Sequence, residues 1–292
     1  MSTERTYIGV DLGGTKVLAA KVNTSEILET THRFLPKDNG NPSVVVNLLK
    51  EVISSLMTEE IEAIGIGLPS IVDTEKGIVY DVHNIPSWKE VHLVDILSDY
   101  FQIPVFINND ANCYALGEAY FGLGQDCKFM VGLTIGTGLG AGIVYQGKLL
   151  KDANGASGEF GVIPYLDKTL EDYCSGQFFK DHYGASGDVM AKRAKSGDSK
   201  ALKAYEQFGF HMGNAIKIIM STIDPYKIIL GGSVAQSKEL FEEEMLKSIS
   251  NYPFDKSKEN IRIEFSETNN MAVLGASTLC YQYAEIMKDK SL

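Results

Sequence analysis

Asp110 stands where a short apolar run, Val105 to Ile107, gives way to the helix-forming stretch Ala111 to Tyr120. A carboxylate at a strand-to-helix junction is held from behind and open in front, the placement a general base needs. Asp110 and Asn109 are equally the two candidates to cap that helix. A second carboxylate, Asp11, ends the strand-like run from Tyr7 and is followed by Gly13-Gly14-Thr15-Lys16 and a return strand, Val17 to Val22. Paired glycines supply the positive φ of a tight hairpin. A turn bare of side chains also lets backbone N–H groups approach an anion, with the Thr15 hydroxyl as a further donor. A carboxylate beside a phosphate-sized gap calls for a divalent cation between them. Without that chemistry, the segment is an ordinary hairpin with an exposed Asp.

The pattern recurs. Phe129 to Ile135 reads as a strand, Gly136-Thr137-Gly138 as a turn and Leu139 to Tyr145 as the return strand. One such unit opens each half of the chain, a weak internal repeat that predicts two related domains facing each other across a cleft, with one polyphosphate held between their glycine turns. Neither turn is a GxxxxGK[ST] loop. Gly136-x-Gly138-x-x-Ala141 runs into a strand rather than a helix, so a dinucleotide site is not expected. Glu159 and Glu171 lie in segments rich in small residues, Gly155-Ala156-Ser157-Gly158 before the first and Cys174-Ser175-Gly176 after the second, a setting in which a carboxylate accepts hydrogen bonds from ligand hydroxyls. The strand from Tyr226 ends in Gly231-Gly232, where the backbone could meet a flat ligand such as a purine or its ribose. His211, on a long helix expected over Ser199 to Thr222, has no evident partner.

The elements that must position these groups follow from the apolar periodicity. Strands are expected at about Glu26 to Phe34, from Ile61 into a loop that Pro69 stiffens, and at Ile261 to Phe265, and helices at Ser43 to Met57, Glu90 to Tyr100, 237 to 250 and Asn270 to Met287. The order is that of a mixed sheet with helices packed on it, twice. The 292 residues suffice for two domains; 44% are hydrophobic, 22% are charged, and the net charge of −11 argues against nucleic acid as a partner. No stretch is long and apolar enough to span a membrane, and the first strand begins too near Met1 for a signal peptide, so a cytoplasmic protein is expected. Cys113, Cys127, Cys174 and Cys280 show no CxxC spacing and read as reduced, mostly buried thiols.

Taken in order, Asp11-Leu12-Gly13-Gly14-Thr15-Lys16, Asn109-Asp110-Ala111-Asn112 with Gly117-Glu118, Gly136-Thr137-Gly138-Leu139-Gly140 and Leu230-Gly231-Gly232 resemble the first phosphate, catalytic, second phosphate and adenosine motifs of the ROK family of sugar kinases and related proteins. The resemblance runs nearly end to end. It implies an actin/hexokinase-like (ribonuclease H-like) two-domain α/β fold with ATP and sugar in the interdomain cleft. The domains would be 1–115 and 116–292, with the C-terminal helix packing back on the first. Asp110 would be the general base, and Asn84, Asn109, Asp110, Glu159 and Glu171 would bind sugar hydroxyls. Asp11, Gly13, Gly14, Thr15, Lys16, Gly136, Thr137, Gly138, Gly231 and Gly232 would hold ATP and Mg2+, the ion meeting Asp11 through water. A homodimer is also implied.

The sequence departs from the family at its zinc site. Val162 stands where a GExGH pattern has its histidine, and Thr169 stands where the last cysteine of a CxCGxxGCxE segment would be, the other cysteines being absent. No zinc is expected, and one sugar hydroxyl would be recognised differently. Ser70 replaces the glycine of the usual Pro-Gly pair on the sugar side. The activity implied is transfer of the ATP γ-phosphoryl group to the 6-hydroxyl of a hexose, glucose first. An N-acetylmannosamine or N-acetylglucosamine kinase and a non-catalytic sugar sensor are the alternatives. ROK repressors carry a DNA-binding segment before the first phosphate motif, where this sequence has only Met1 to Thr6, so a repressor is not expected.

Overall fold

The protein is described here by a computed structural model covering residues 5–36, 41–82, 85–268 and 270–289, with side chains as far as 281. These residues fall into two units. The first comprises the chain through Asp126, Gly147–Ser157 and the C-terminal part from Asn270; the second comprises Cys127–Gln146 and Gly158–Asn269.

In the first unit β1 (Thr6–Leu12) pairs antiparallel with β2 (Lys16–Val22), which pairs antiparallel with β3 (Ile27–Phe34). Helix α1 (Pro42–Ser54) follows, capped by Asn41, and buries Val45, Leu49, Val52 and Ile53. Strand β4 (Ile61–Leu68) lies parallel to β1. A small antiparallel sheet comes next, β5 (Val72–Asp73), β6 (Ile78–Tyr80) and β7 (Glu90–Val91), and then α2 (Leu93–Phe101). The helix expected from Glu90 therefore starts three residues late, because Glu90 and Val91 are used in pairing with Tyr80 and Val79. Strand β8 (Val105–Asn109) lies parallel to β4 and completes the order β3-β2-β1-β4-β8. Alternating apolar side chains such as Ile8, Val10, Ile64, Ile66 and Ile107 form its core with α1 and α2.

Helix α3 (Asp110–Phe121) leaves β8 directly and runs without a break through the expected 115/116 boundary. Continuing in the second unit are β9 (Phe129–Ile135) and its antiparallel neighbour β10 (Leu139–Tyr145); β11 (Lys148–Leu149) belongs to the first unit. A 3-10 turn, Phe160–Val162, leads to a hairpin of β12 (Pro164–Tyr165) and β13 (Lys168–Thr169). Four helices follow, α4 (Leu170–Cys174), α5 (Gly176–Tyr183), α6 (Gly187–Lys195) and α7 (Ser199–Thr222). Strand β14 (Lys227–Gly231) lies parallel to β9, and a 3-10 turn over Ala235–Leu240 precedes α8 (Glu242–Ser250). The continuous helix expected over 237–250 is broken because Ser237 and Phe241 leave helical geometry, Phe241 turning its ring in against Tyr205 and Phe208. Helix α9 (Asp255–Asn260) and β15 (Arg262–Phe265), parallel to β14, finish this unit, whose sheet carries β10-β9-β14-β15 in that order.

The last helix, α10 (Met271–Asp289), packs in the first unit against α3, β1 and β4. Its approach is backbone on backbone. A Cβ placed on Gly275 would lie 1.6 Å from the Cys113 carbonyl oxygen, and one on Gly117 2.1 Å from that of Met271. Only glycine admits that spacing, so the helix bearing Asp110 is seated directly on the C-terminal one.

Candidate active site

The first group of candidate residues gathers at the C-terminal ends of three parallel strands, the end of an α/β sheet where ligands bind. Asp11 of β1 is paired with Gly67 of β4, and Gly67 with Asn108 of β8. Asp11 and the corner at Asn108 to Asp110 are thus two strand spacings apart, about 10 Å, with the bare Gly67 between them. A Cβ there would meet Cys113 Sγ at 3.2 Å and Asp110 Cα at 3.6 Å. Sequence reasoning did not single out Gly67, although glycines at alternate positions 65 and 67 of a strand are a signal of close approach.

Of the two candidate caps, Asn109 is the one used. With extended backbone (φ −61, ψ 145) it accepts the N–H groups of Ala111 and Asn112 on Oδ1, at 2.9 and 3.2 Å. Asp110 is therefore the first helical residue, half-buried, and its Oδ1 accepts the Ala111 N–H at 2.8 Å. A carboxylate in the first turn is also favoured in its ionised form by the helix dipole. The corner is cross-tied: Asn108 Oδ1 accepts Asn109 N–H at 2.8 Å and Asn112 Nδ2 at 2.9 Å, and Asn109 Nδ2 donates to the Ser70 carbonyl at 3.3 Å. Ser70 donates its own hydroxyl to the Tyr80 carbonyl, so the loop after β4 is fastened to the same corner. With both lone pairs of its oxygen committed, Asn109 has one amide hydrogen left for a ligand.

Burial pushes the half-buried Asp11 carboxyl up to about 6, opposed by Lys16. Behind both acids lies Cys113, fully buried, its thiol pushed up by burial first and then by Asp110 and Asp11. The Gly13 to Lys16 turn closes with Gly13 N–H donating to the Lys16 carbonyl at 3.0 Å, and Gly14, Thr15 and Lys16 are exposed. Neither Gly13 nor Gly14 takes positive φ. The conformational reason expected for the pair is thus corrected: what their lack of side chains leaves at this turn is open backbone.

In the second unit the Gly136-Thr137-Gly138 turn is held from outside. Gly176 N–H donates to the Gly136 carbonyl at 2.8 Å, and Leu139 N–H donates to Glu171 Oε2 at 2.9 Å. Glu171 lies in the first turn of α4, where Thr169 is the cap: its N–H and hydroxyl both donate to Asp172 Oδ2, at 3.0 and 2.6 Å. Glu159, half-buried before the 3-10 turn, has its carboxyl raised by burial and then by the charge of Glu171. Val162 is 68% exposed. No group of three or more His, Cys, Asp or Glu side chains suited to a metal occurs among the described residues.

Gly231 ends β14 opposite Thr134, and Gly232 has a φ of +89 with a hypothetical Cβ only 2.5 Å from the Ile135 carbonyl oxygen. Glycine is required there on both counts. Asn84 lies outside the described residues. His211, read as partnerless, is not: its Nδ1 lies 3.0 Å from the Tyr165 hydroxyl, and its ring packs on Tyr173 and Phe178.

A profile of the ROK family matches residues 7–283. A glucokinase from Halalkalibacterium halodurans is 28% identical over 98% of this chain and 98% of its own. An N-acetyl-D-glucosamine kinase from Vibrio parahaemolyticus is 31% identical over 94% of this chain and 99% of its own. A ROK family glucokinase from Streptomyces griseus, solved in complex with glucose and AMPPNP, superposes with a TM-score of 0.81 at 26% identity, over 95% of this chain and 99% of that one.

Proposed function

The chain belongs to the ROK family and has its actin/hexokinase-like α/β fold, and from that premise we propose that it is an ATP-dependent hexose kinase, transferring the γ-phosphoryl group to the 6-hydroxyl of glucose. The observation that carries the reading is the corner at Asn108 to Asp110: a capped, cross-tied turn that presents one carboxylate at the ends of parallel strands, two strands from Asp11.

Asp110 accepts the proton of the sugar 6-hydroxyl as that oxygen bonds to the γ-phosphorus and the bond to the leaving ADP oxygen breaks. A hydroxyl is a poor nucleophile without such a base, and the remainder of the catalysis is placement and charge neutralisation. Asn109, Glu159 and Glu171, with Asn84, orient the sugar through its hydroxyls. Gly13, Gly14, Thr15, Lys16, Gly136, Thr137 and Gly138 offer N–H, hydroxyl and ammonium donors to the phosphates, and Gly231 and Gly232 leave room for the nucleoside. Asp11 fits a hydrated cation by its donor chemistry: a half-buried carboxylate at the end of β1, beside the open backbone of the Gly13 to Lys16 turn. Mg2+ held there through water would neutralise charge on the β- and γ-phosphates. A homodimer is part of the same reading.

One observation favours a second substrate class. The Vibrio parahaemolyticus kinase, at 31% identity, is named for N-acetyl-D-glucosamine, and Ser70 and Val162 are the positions where a changed sugar pocket would show. The test is ADP release with magnesium ATP across glucose, N-acetylglucosamine, N-acetylmannosamine, mannose, fructose and allose, with Asp110→Ala beside the wild type. Turnover of one sugar that the variant loses supports the reading and names the substrate. Sugar or ATP binding without any turnover would move it to a sensor.

A further inference from the structure

Glu171 sits on α4, a helix of five residues, too short to hold its place by its own backbone bonds. Yet α4 and the start of α5 together clamp the Gly136 to Gly138 turn from both ends, through Glu171 Oε2 to Leu139 N–H at 2.9 Å and through Gly176 N–H to the Gly136 carbonyl at 2.8 Å. Something behind α4 must take the load.

That support is a polar cluster in the second unit. The hydroxyl of Tyr165, on β12, lies 3.0 Å from His211 Nδ1 and accepts Asn214 Nδ2 at 2.8 Å, both partners being on α7. Asn214 Oδ1 accepts in turn from Ser248 Oγ of α8 at 3.4 Å. Tyr173 of α4 donates its hydroxyl to Asp167 at the tip of the β12-β13 hairpin, and its ring meets that of His211 at 4.8 Å between centroids. With Asn214 donating to the Tyr165 oxygen, the Tyr165 proton can go to His211 Nδ1 when that ring is neutral and protonated on Nε2. Burial, with a smaller effect of His182, lowers His211 to about 4 and keeps it so. The ring's open side faces a cavity of about 580 Å³ that Lys203, Glu206, Gln207 and Glu244 also line.

We propose that Tyr165, His211 and Asn214 are positioning residues: by tying the hairpin and α4 to α7 they set Glu171 toward its sugar hydroxyl and steady the Gly136 to Gly138 turn. The proposal rests on the sugar-kinase reading. None of the three is among the residues assigned to the sugar or the phosphates, so their effect runs through Glu171 and the Leu139 and Gly176 bonds.

The experiment compares wild type, Tyr165→Phe, His211→Leu and His211→Asn, the last of which keeps an acceptor near the Nδ1 position. Sugar KM and kcat are measured together with amide hydrogen exchange of the substrate-free proteins. For Tyr165→Phe and His211→Leu, exchange over 136–139 and 170–176 is expected to quicken about threefold or more with helix 199–222 unchanged. Sugar KM is expected to rise about three- to tenfold with kcat altered less than about twofold, and His211→Asn to recover most of the difference. Unchanged exchange at those two segments overturns the proposal. So does exchange raised equally in helix 199–222, which marks general loss of stability, and so does a His211→Asn variant as impaired as His211→Leu. If the wild type phosphorylates no hexose, the kinase reading fails by itself, and the exchange rates, which need no substrate, still decide the brace.

Discussion

Glu171 Oε2 accepts the backbone N–H of Leu139 at 2.9 Å, so a carboxylate assigned to the sugar is bonded to the residue that closes a turn assigned to phosphate. One oxygen is thereby committed to structure, and the other remains for a sugar hydroxyl. The same contact explains Gly138, where a Cβ would stand 2.5 Å from that oxygen.

Gly138→Ala should therefore act on the sugar as well as on ATP. The added methyl displaces the Glu171 carboxylate, and kcat/KM for the sugar is expected to fall about 10- to 100-fold, with the folded state retained. Initial rates with each substrate varied in turn check this. A variant impaired only in its ATP KM would show that the bond to Leu139 does not matter for the sugar.

In the first unit, Asp110 and its neighbour can be separated by their different duties. Asp110→Asn keeps the shape and the Ala111 contact but removes the base, and turnover is expected to fall by about two to four orders of magnitude with sugar binding nearly intact by calorimetry. Asn109→Ala removes the helix cap, and a loss of about 1 kcal/mol in unfolding free energy is expected. Near-normal turnover of Asp110→Asn would take the base role away from it; unchanged stability of Asn109→Ala would take away the cap.

Asp11 carries a stability cost that depends on pH. Its folded-state pKa, about 6, lies above the ordinary 3.8, so its protonated form is the one that the fold favours. The stability that the protonated form contributes is fully present below the unfolded value and is lost as pH rises through about 6, leaving the cost in force above it. Asp11→Asn, which does not titrate, should therefore be more stable than the wild type at pH 8 without nucleotide, by about 1–2 kcal/mol, and no more stable near pH 4. Denaturant unfolding at the two pH values measures it, and the variant is expected to lose turnover. Equal stability at pH 8 would mean that Asp11 is solvated rather than buried.

The corner at Asp110 was legible because an apolar run ends abruptly in Asn108-Asn109-Asp110 and a helical period begins, which leaves little freedom in where the carboxylate stands. Both glycine hairpins were legible in position, although Gly13 and Gly14 do not adopt the positive φ expected of them. Helices α4 to α6 were missed because each is short and none repeats an apolar face long enough to stand out from a loop. The Tyr165 and His211 contact joins residues 46 apart, and no local pattern announces such a pair. Leu139 contributes only its backbone N–H, which every non-proline residue possesses, so its type says nothing of its role.

The C-terminal helix gives the last prediction. Its seat on α3 depends on Gly275, where a Cβ would overlap the Cys113 carbonyl oxygen at 1.6 Å, and two helix backbones cannot be that close with a methyl between them. Gly275→Ala gains helix propensity of up to about 1 kcal/mol, yet the overlap forces the helices apart, and overpacking of this kind costs about 1–3 kcal/mol or more. The overlap should win: the variant is expected to melt several degrees lower, and since α3 begins at Asp110, kcat should fall with it. Thermal unfolding and turnover measured on one preparation test both parts. A variant as stable as the wild type would show that α10 is free to lift from α3 at no cost, and the account of how Asp110 is held would have to rest on the cap and the β8 corner alone.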